Sequence, residues 1–124
     1  MVRKLRCAVV AAALCCTAAH GADNSPGANE GAAAYVACAK AYNAGDLDTA
    51  LERCNAAIAV DPQLADAYFV KGSVLMSRAT IAANGHAVYV PGTREALQKY
   101  LDLAPNGPHA ADAREMLRYI GTGK

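Results

Sequence analysis

Residues 43–62 read NAGDLDTALERCNAAIAVDP, and the fold turns on how this stretch is parsed. Its first four residues close one helix and open another. Gly45 can take the left-handed conformation with which many helices end. Asp46 then has the short acceptor side chain that caps the N–H groups of a following helix. From there Leu47, Ala50, Leu51, Cys54, Ala57, Ile58 and Val60 recur at helical spacing and form one apolar stripe. Asp48, Glu52 and Arg53 mark the opposite, solvent face. Asp61-Pro62 ends the helix, because proline disfavours helical backbone in the residue before it. The residues ahead of Gly45 are helix formers too, so the stretch is the centre of a helical hairpin.

On these residues the chain resembles a tetratricopeptide repeat. Gly45-Asp46-Leu47 at the turn, Ala50 and Ala57 in the second helix, and Asp61-Pro62 at its end carry the resemblance. It spans one repeat and part of a second. It implies an all-α fold, a short solenoid of helical hairpins, and a scaffold that binds something. Glycine costs a helix about 1 kcal/mol relative to alanine, so Gly72, inside the third helical stretch, needs a compensating role. In the family, a small residue mid-way along the first helix of a hairpin lets its partner helix approach closely. Gly72 matches that position, and Cys38, thirty-four residues earlier, holds it in the first repeat. Tyr35 and Tyr68 are thirty-three apart, which implies a one-residue offset between the two first helices.

Working outward, the pattern predicts a first helix over 30–44, with Tyr35, Cys38, Ala41 and Tyr42 among its apolar residues, and a second over 47–60. A third is expected over 64–82, with Tyr68, Val70, Gly72, Leu75, Met76 and Ala79 on its buried sides. The second hairpin then departs from the family pattern. Residues 82–92, AANGHAVYVPG, replace the tight turn with a loop carrying turn signals at Asn84-Gly85 and Pro91-Gly92. Pro62 and Pro105 are forty-three residues apart, nine more than one repeat. The nearest strand pattern, Val88-Tyr89-Val90, is too short to build a sheet alone. A fourth helix should follow Thr93 as N-cap and run to about 103, with Ala96, Leu97, Tyr100, Leu101 and Ala104 on its apolar face. Residues 105–108 end it, and a last helix over 109–120 turns Ala110, Ala113, Met116, Leu117 and Ile120 inward. Residues 103–113 look like the linkers of repeat proteins in bacterial cell-envelope assembly. The reading is about five helices, with an inserted loop in the second hairpin and a C-terminal capping helix. Apolar residues make up 54% of the chain, but many are alanines and tryptophan is absent, so the core should be thin. Two repeats and a cap fall short of the three that usually stabilise a solenoid. A dimer or a partner surface would supply the rest.

The chain divides into a signal peptide (1–21), a flexible lead-in (22–31), the helical domain (32–121) and a tail (122–124). Arg3, Lys4 and Arg6 precede an apolar run from Cys7 to Cys16, and small residues follow at Ala18 and Ala19. This is the layout of a cleaved secretory signal, with the cut near Gly21 or Ala22. An uncleaved anchor or a cytosolic helix is the alternative, although the run is short for a bilayer span. Cleavage leaves nine basic and eleven acidic side chains, a net charge near −2. That balance, with no basic stripe between aromatics, argues against nucleic acid as a partner. The expected location is the bacterial periplasm or the outside of the cell.

The mature chain keeps only Cys38 and Cys54, one in each arm of the first hairpin and eight residues either side of the turn centre. Antiparallel arms place them opposite each other, which in an oxidising compartment suits a structural disulfide. Two buried free thiols are the alternative. His86 and His109 stand at no metal-ligand spacing. Ser73 and Ser77 lack a nucleophile elbow, and Asp46, Asp48 and Asp61 read as caps and solvated face. No catalytic constellation stands out, so the expectation is a protein that is not an enzyme and uses no cofactor or metal.

What remains is surface. In the resembling family, the first helices of successive hairpins line a concave groove for a peptide or a helix. Carried over by position, that face would hold Tyr35, Tyr42 and Asn43, then Asp66, Phe69, Ser73 and Met76. The family's carboxylate clamp needs Lys, Arg and Asn there, and only Asn43 fits. Aromatic residues at helical spacing also serve a core, the competing reading for this set. Val88 and Tyr89 of the inserted loop are further contact candidates, since function concentrates in loops on rigid scaffolds. The expected function is a protein–protein interaction scaffold of the cell envelope. The alternative is a structural subunit that packs against an envelope assembly or against itself.

Overall fold

The computed structural model describes residues 26–121. The expected signal peptide and the tail lie outside them. Five helices follow in order: α1 (Pro26–Asn43), α2 (Leu47–Val60), α3 (Ala65–Ser77), α4 (Thr93–Leu103) and α5 (Ala110–Gly121). Between α3 and α4 a minimal antiparallel ladder joins β1 (Thr80–Ile81) to β2 (Ala87–Val88), pairing Thr80 with Val88 and Ile81 with Ala87. The protein is all-α, an arrangement of helical hairpins.

The first turn forms as its residues dictate. Gly45 has φ of 79°, and the Gly45 and Asp46 N–H groups donate to the Tyr42 and Ala41 carbonyls. That bond pair satisfies two carbonyls at the end of α1. Asp46 caps α2, accepting from the Thr49 N–H at 3.1 Å. Its carboxyl sits below the ordinary value of 3.8, first because of the bonds with Thr49. α1 and α2 pack along their length, and Cys38 and Cys54 are joined by a disulfide across them, with Cα atoms 5.0 Å apart.

Four boundaries differ from the sequence reading. α1 begins at Pro26, inside the stretch read as flexible lead-in. Proline is well suited to a first helical turn, and Gly31 is buried against Asp61, where a Cβ would come within 2.8 Å of the Asp61 Cβ. α3 stops at Ser77 rather than near 82, because the residues that follow pair as β1 with β2. Val88 therefore does belong to a strand, two residues long. Thr93 is the first residue of α4, not its cap: Gly92 holds the cap position at φ of 90°, and the Thr93 hydroxyl donates to the Val90 carbonyl.

The interior forms two clusters. Cys38, Ala50, Cys54, Val70 and Val74 make the first, with Tyr35, Tyr42, Leu47 and Leu51 packed on it. Leu97, Tyr100, Ala110 and Ala113 make the second, with Tyr68, Phe69, Met116, Leu117 and Ile120 around it. α3 serves both. Cys38 matches Gly72 at a spacing of thirty-four, and Cys54 matches Leu97 at forty-three, the spacing of Pro62 and Pro105. The disulfide joins the two helices of the first hairpin, and Gly72 meets Leu97 between the two helices of the second. An ion pair between Arg78 and Asp48 ties the end of α3 to the start of α2.

Candidate functional site

α3 packs on α1 and shares a groove with α5, lined by Met76 from α3 and by Asp112, Glu115, Met116 and Tyr119 from α5. The cavity volume is about 310 Å³. The lining comes from α3 and α5, and α1 supplies none of it. Of the residues singled out from sequence, Met76 alone is in the lining, while Tyr35 packs on the first interior cluster and Phe69 on the second. Tyr35 is half-buried, and burial raises its hydroxyl above the ordinary 10.0, the nearby Asp66 carboxylate adding to the shift. Phe69 stacks on the His109 ring with centroids 4.3 Å apart and planes 7° apart, and meets Tyr100 at 5.4 Å. Met76 reaches the groove.

Others are placed differently. Ser73 is buried, 4% exposed, and its hydroxyl donates to the Phe69 carbonyl four residues back. It is a core residue rather than a contact for a ligand at the surface. Tyr42 packs on the first cluster. Asn43 is exposed at the end of α1. Val88 and Tyr89 lie apart from the groove lining, on and just after β2, with Val88 51% exposed and Tyr89 half-buried. Ile81 across the ladder is 71% exposed.

Sequence reading missed the α5 wall. Asp112, Glu115, Met116 and Tyr119 recur at three- and four-residue steps, which puts them on one side of a helix. That signal was present but was read only for its inward half. Met116 does both, packing on the second cluster and lining the groove. Among the described residues, no group of three or more His, Cys, Asp or Glu side chains could hold a metal ion. No described helix is long and apolar enough to cross a membrane.

The fold and this lining define an all-α protein of helical hairpins with an open groove between α3 and α5. Compared with protein-family models, curated proteins and solved structures, the chain matches none.

Proposed function

We propose that the protein is an exported, non-enzymatic scaffold of the bacterial cell envelope, built on tetratricopeptide-like hairpins, that holds a protein or peptide partner in the groove between α3 and α5. The observation that carries the reading is the groove of about 310 Å³ between α3 and α5, with two methionines and a tyrosine beside two carboxylates. Large adaptable apolar groups next to polar ones suit the recognition of another polypeptide. Close interhelix contacts at Cys38 and, thirty-four residues on, at Gly72 support the repeat reading. The disulfide supports an oxidising location.

The test is capture from envelope extract with the mature chain as bait. Met76→Ser with Tyr119→Ser alters the groove, and Glu52→Lys with Lys99→Glu alters α2 and α4. Loss of a captured partner with the first pair and not the second is expected. The opposite pattern ends the reading. One observation favours a second role, as a subunit that packs end-on in an assembly. Val36 of α1 is 49% exposed beside exposed Ala32 and Ala33. Val36→Lys would then abolish self-association or assembly in sedimentation experiments and leave groove binding intact.

A further inference from the structure

The groove walls carry more chemical information than their shape. A volume of about 310 Å³ lies at the lower end for sites that enclose small molecules, so it suits one or two side chains of a longer ligand. Met76 and Met116 stand on opposite walls. Their flexible, polarisable thioethers adapt to apolar side chains of different shape.

The charged residues of the lining are two carboxylates, Asp112 and Glu115, and neither is buried. The Asp112 side chain has no hydrogen bond or ion pair among the described residues. Its place in the first turn of α5 suits a carboxylate on its own account, and leaves its oxygens open to the groove. Glu115 accepts from Arg118 and from the Tyr119 hydroxyl, both at 3.4 Å. Those are long bonds, and a carboxylate has about four acceptor positions, so Glu115 keeps capacity for another donor. Two carboxylates against the one Arg118 guanidinium leave this wall with a net negative charge.

We infer that the α3–α5 groove takes a basic segment of a partner polypeptide. An apolar side chain of that segment seats between Met76 and Met116, and an adjacent lysine or arginine is held by Asp112 and Glu115. This rests on the scaffold reading above and adds the chemistry of the occupant. Charge complementarity selects the basic partner and turns away an acidic one.

The mature chain labelled at its methionine methyls provides the test, since Met76 and Met116 report from the two walls. Three short synthetic peptides serve as probes: leucine with lysine, the charge-reversed leucine with glutamate, and serine with lysine. Saturable movement of both methyl signals with the leucine–lysine peptide is expected, with little from the other two. Raising salt should weaken it. Asp112→Asn with Glu115→Gln, both at exposed positions, should weaken it by about tenfold or more at an unchanged melting temperature. Equal binding of the leucine–glutamate peptide overturns the inference but leaves the groove and the scaffold reading standing. Methyl signals that move only with the protein's own concentration overturn it in favour of a second copy. No response to any peptide overturns it too. The capture experiment with the Met76→Ser, Tyr119→Ser variant then decides the scaffold reading separately.

Discussion

Gly72 presses against Leu97. A Cβ on residue 72 would stand 2.7 Å from the Leu97 Cδ2 and 2.8 Å from its Cγ. Leu97 is completely buried and has no room to turn away. Gly72→Leu is therefore expected to destabilise the protein by about 1–3 kcal/mol, despite leucine's better helix propensity. Adding Leu97→Ala should recover part of the loss, because the two changes act on one contact. Urea denaturation of the two single variants and the double variant measures both effects. A Leu variant as stable as the parent would mean that α4 can move off α3 without cost.

The Cys38–Cys54 disulfide closes a loop with a sequence separation of 16. In the chain-entropy description, such a loop contributes about 3 kcal/mol. Reductant should lower the melting temperature clearly, and Cys38→Ala with Cys54→Ala should do so without it. Thiol counting on unfolded, unreduced mature protein should find none. Two free thiols in protein from an oxidising compartment would refute the bridge.

Tyr100 is wholly buried, and its hydroxyl accepts the His109 N–H at 2.9 Å. Tyr100→Phe keeps the ring against Phe69 and leaves that N–H at the entry to α5 without its acceptor. A buried donor stripped of its partner costs about 1–3 kcal/mol. A loss in that range by denaturation, with a shifted His109 amide resonance, is the expected result. A neutral substitution would mean that solvent reaches the entry to α5.

Tyr35 should deprotonate above its ordinary 10.0, chiefly because it is buried and secondarily because of Asp66. Asp66→Asn removes the smaller cause, so the midpoint should fall part of the way back and stay above 10.0. Titration of the Tyr35 ring resonances by NMR follows it. A midpoint unmoved by the substitution would separate the two groups.

Asp46 titrates below its ordinary 3.8, because its ionised form accepts the bonds from Thr49. The ionised cap stabilises the fold above that value, and the contribution is lost as pH falls through the depressed one. The melting temperature of Asp46→Ala should be lower than that of the parent at neutral pH, and the gap should narrow on acidification. A gap that widens in acid would contradict the capping role.

The first hairpin was legible almost residue by residue. Gly45, Asp46 and Asp61-Pro62 each act through local backbone chemistry, and α2 spans the predicted residues. Gly72 was legible for a different reason: a costly residue inside a helix needs a compensating role, and the tetratricopeptide resemblance implied a close helix neighbour. The second hairpin was less so. Whether residues after Ser77 continue a helix or turn into β1 depends on β2 lying alongside, and that pairing leaves little trace in two residues. The candidate groove was only partly legible. Aromatics on α3 were visible, but Ser73 was placed at the surface because helical spacing fixes a face and not its depth. The α5 wall was overlooked because its inward alanines and leucine drew the reading to the core.

The division of the interior into two clusters sharing α3 has a consequence for how the chain opens. In an array of stacked hairpins, each unit is held by its neighbours, so units can be lost from an end without global unfolding. The disulfide holds one end closed, whereas among the described helices α5 packs chiefly on α4. Opening should begin at α5, and the slowest-exchanging backbone amides should lie in α1 and α2, far from the groove. Since α5 supplies four of the five groove residues, an occupant there would also fasten the least protected end of the fold. Binding would then be reported as slowed hydrogen exchange across α5, well beyond the residues touched.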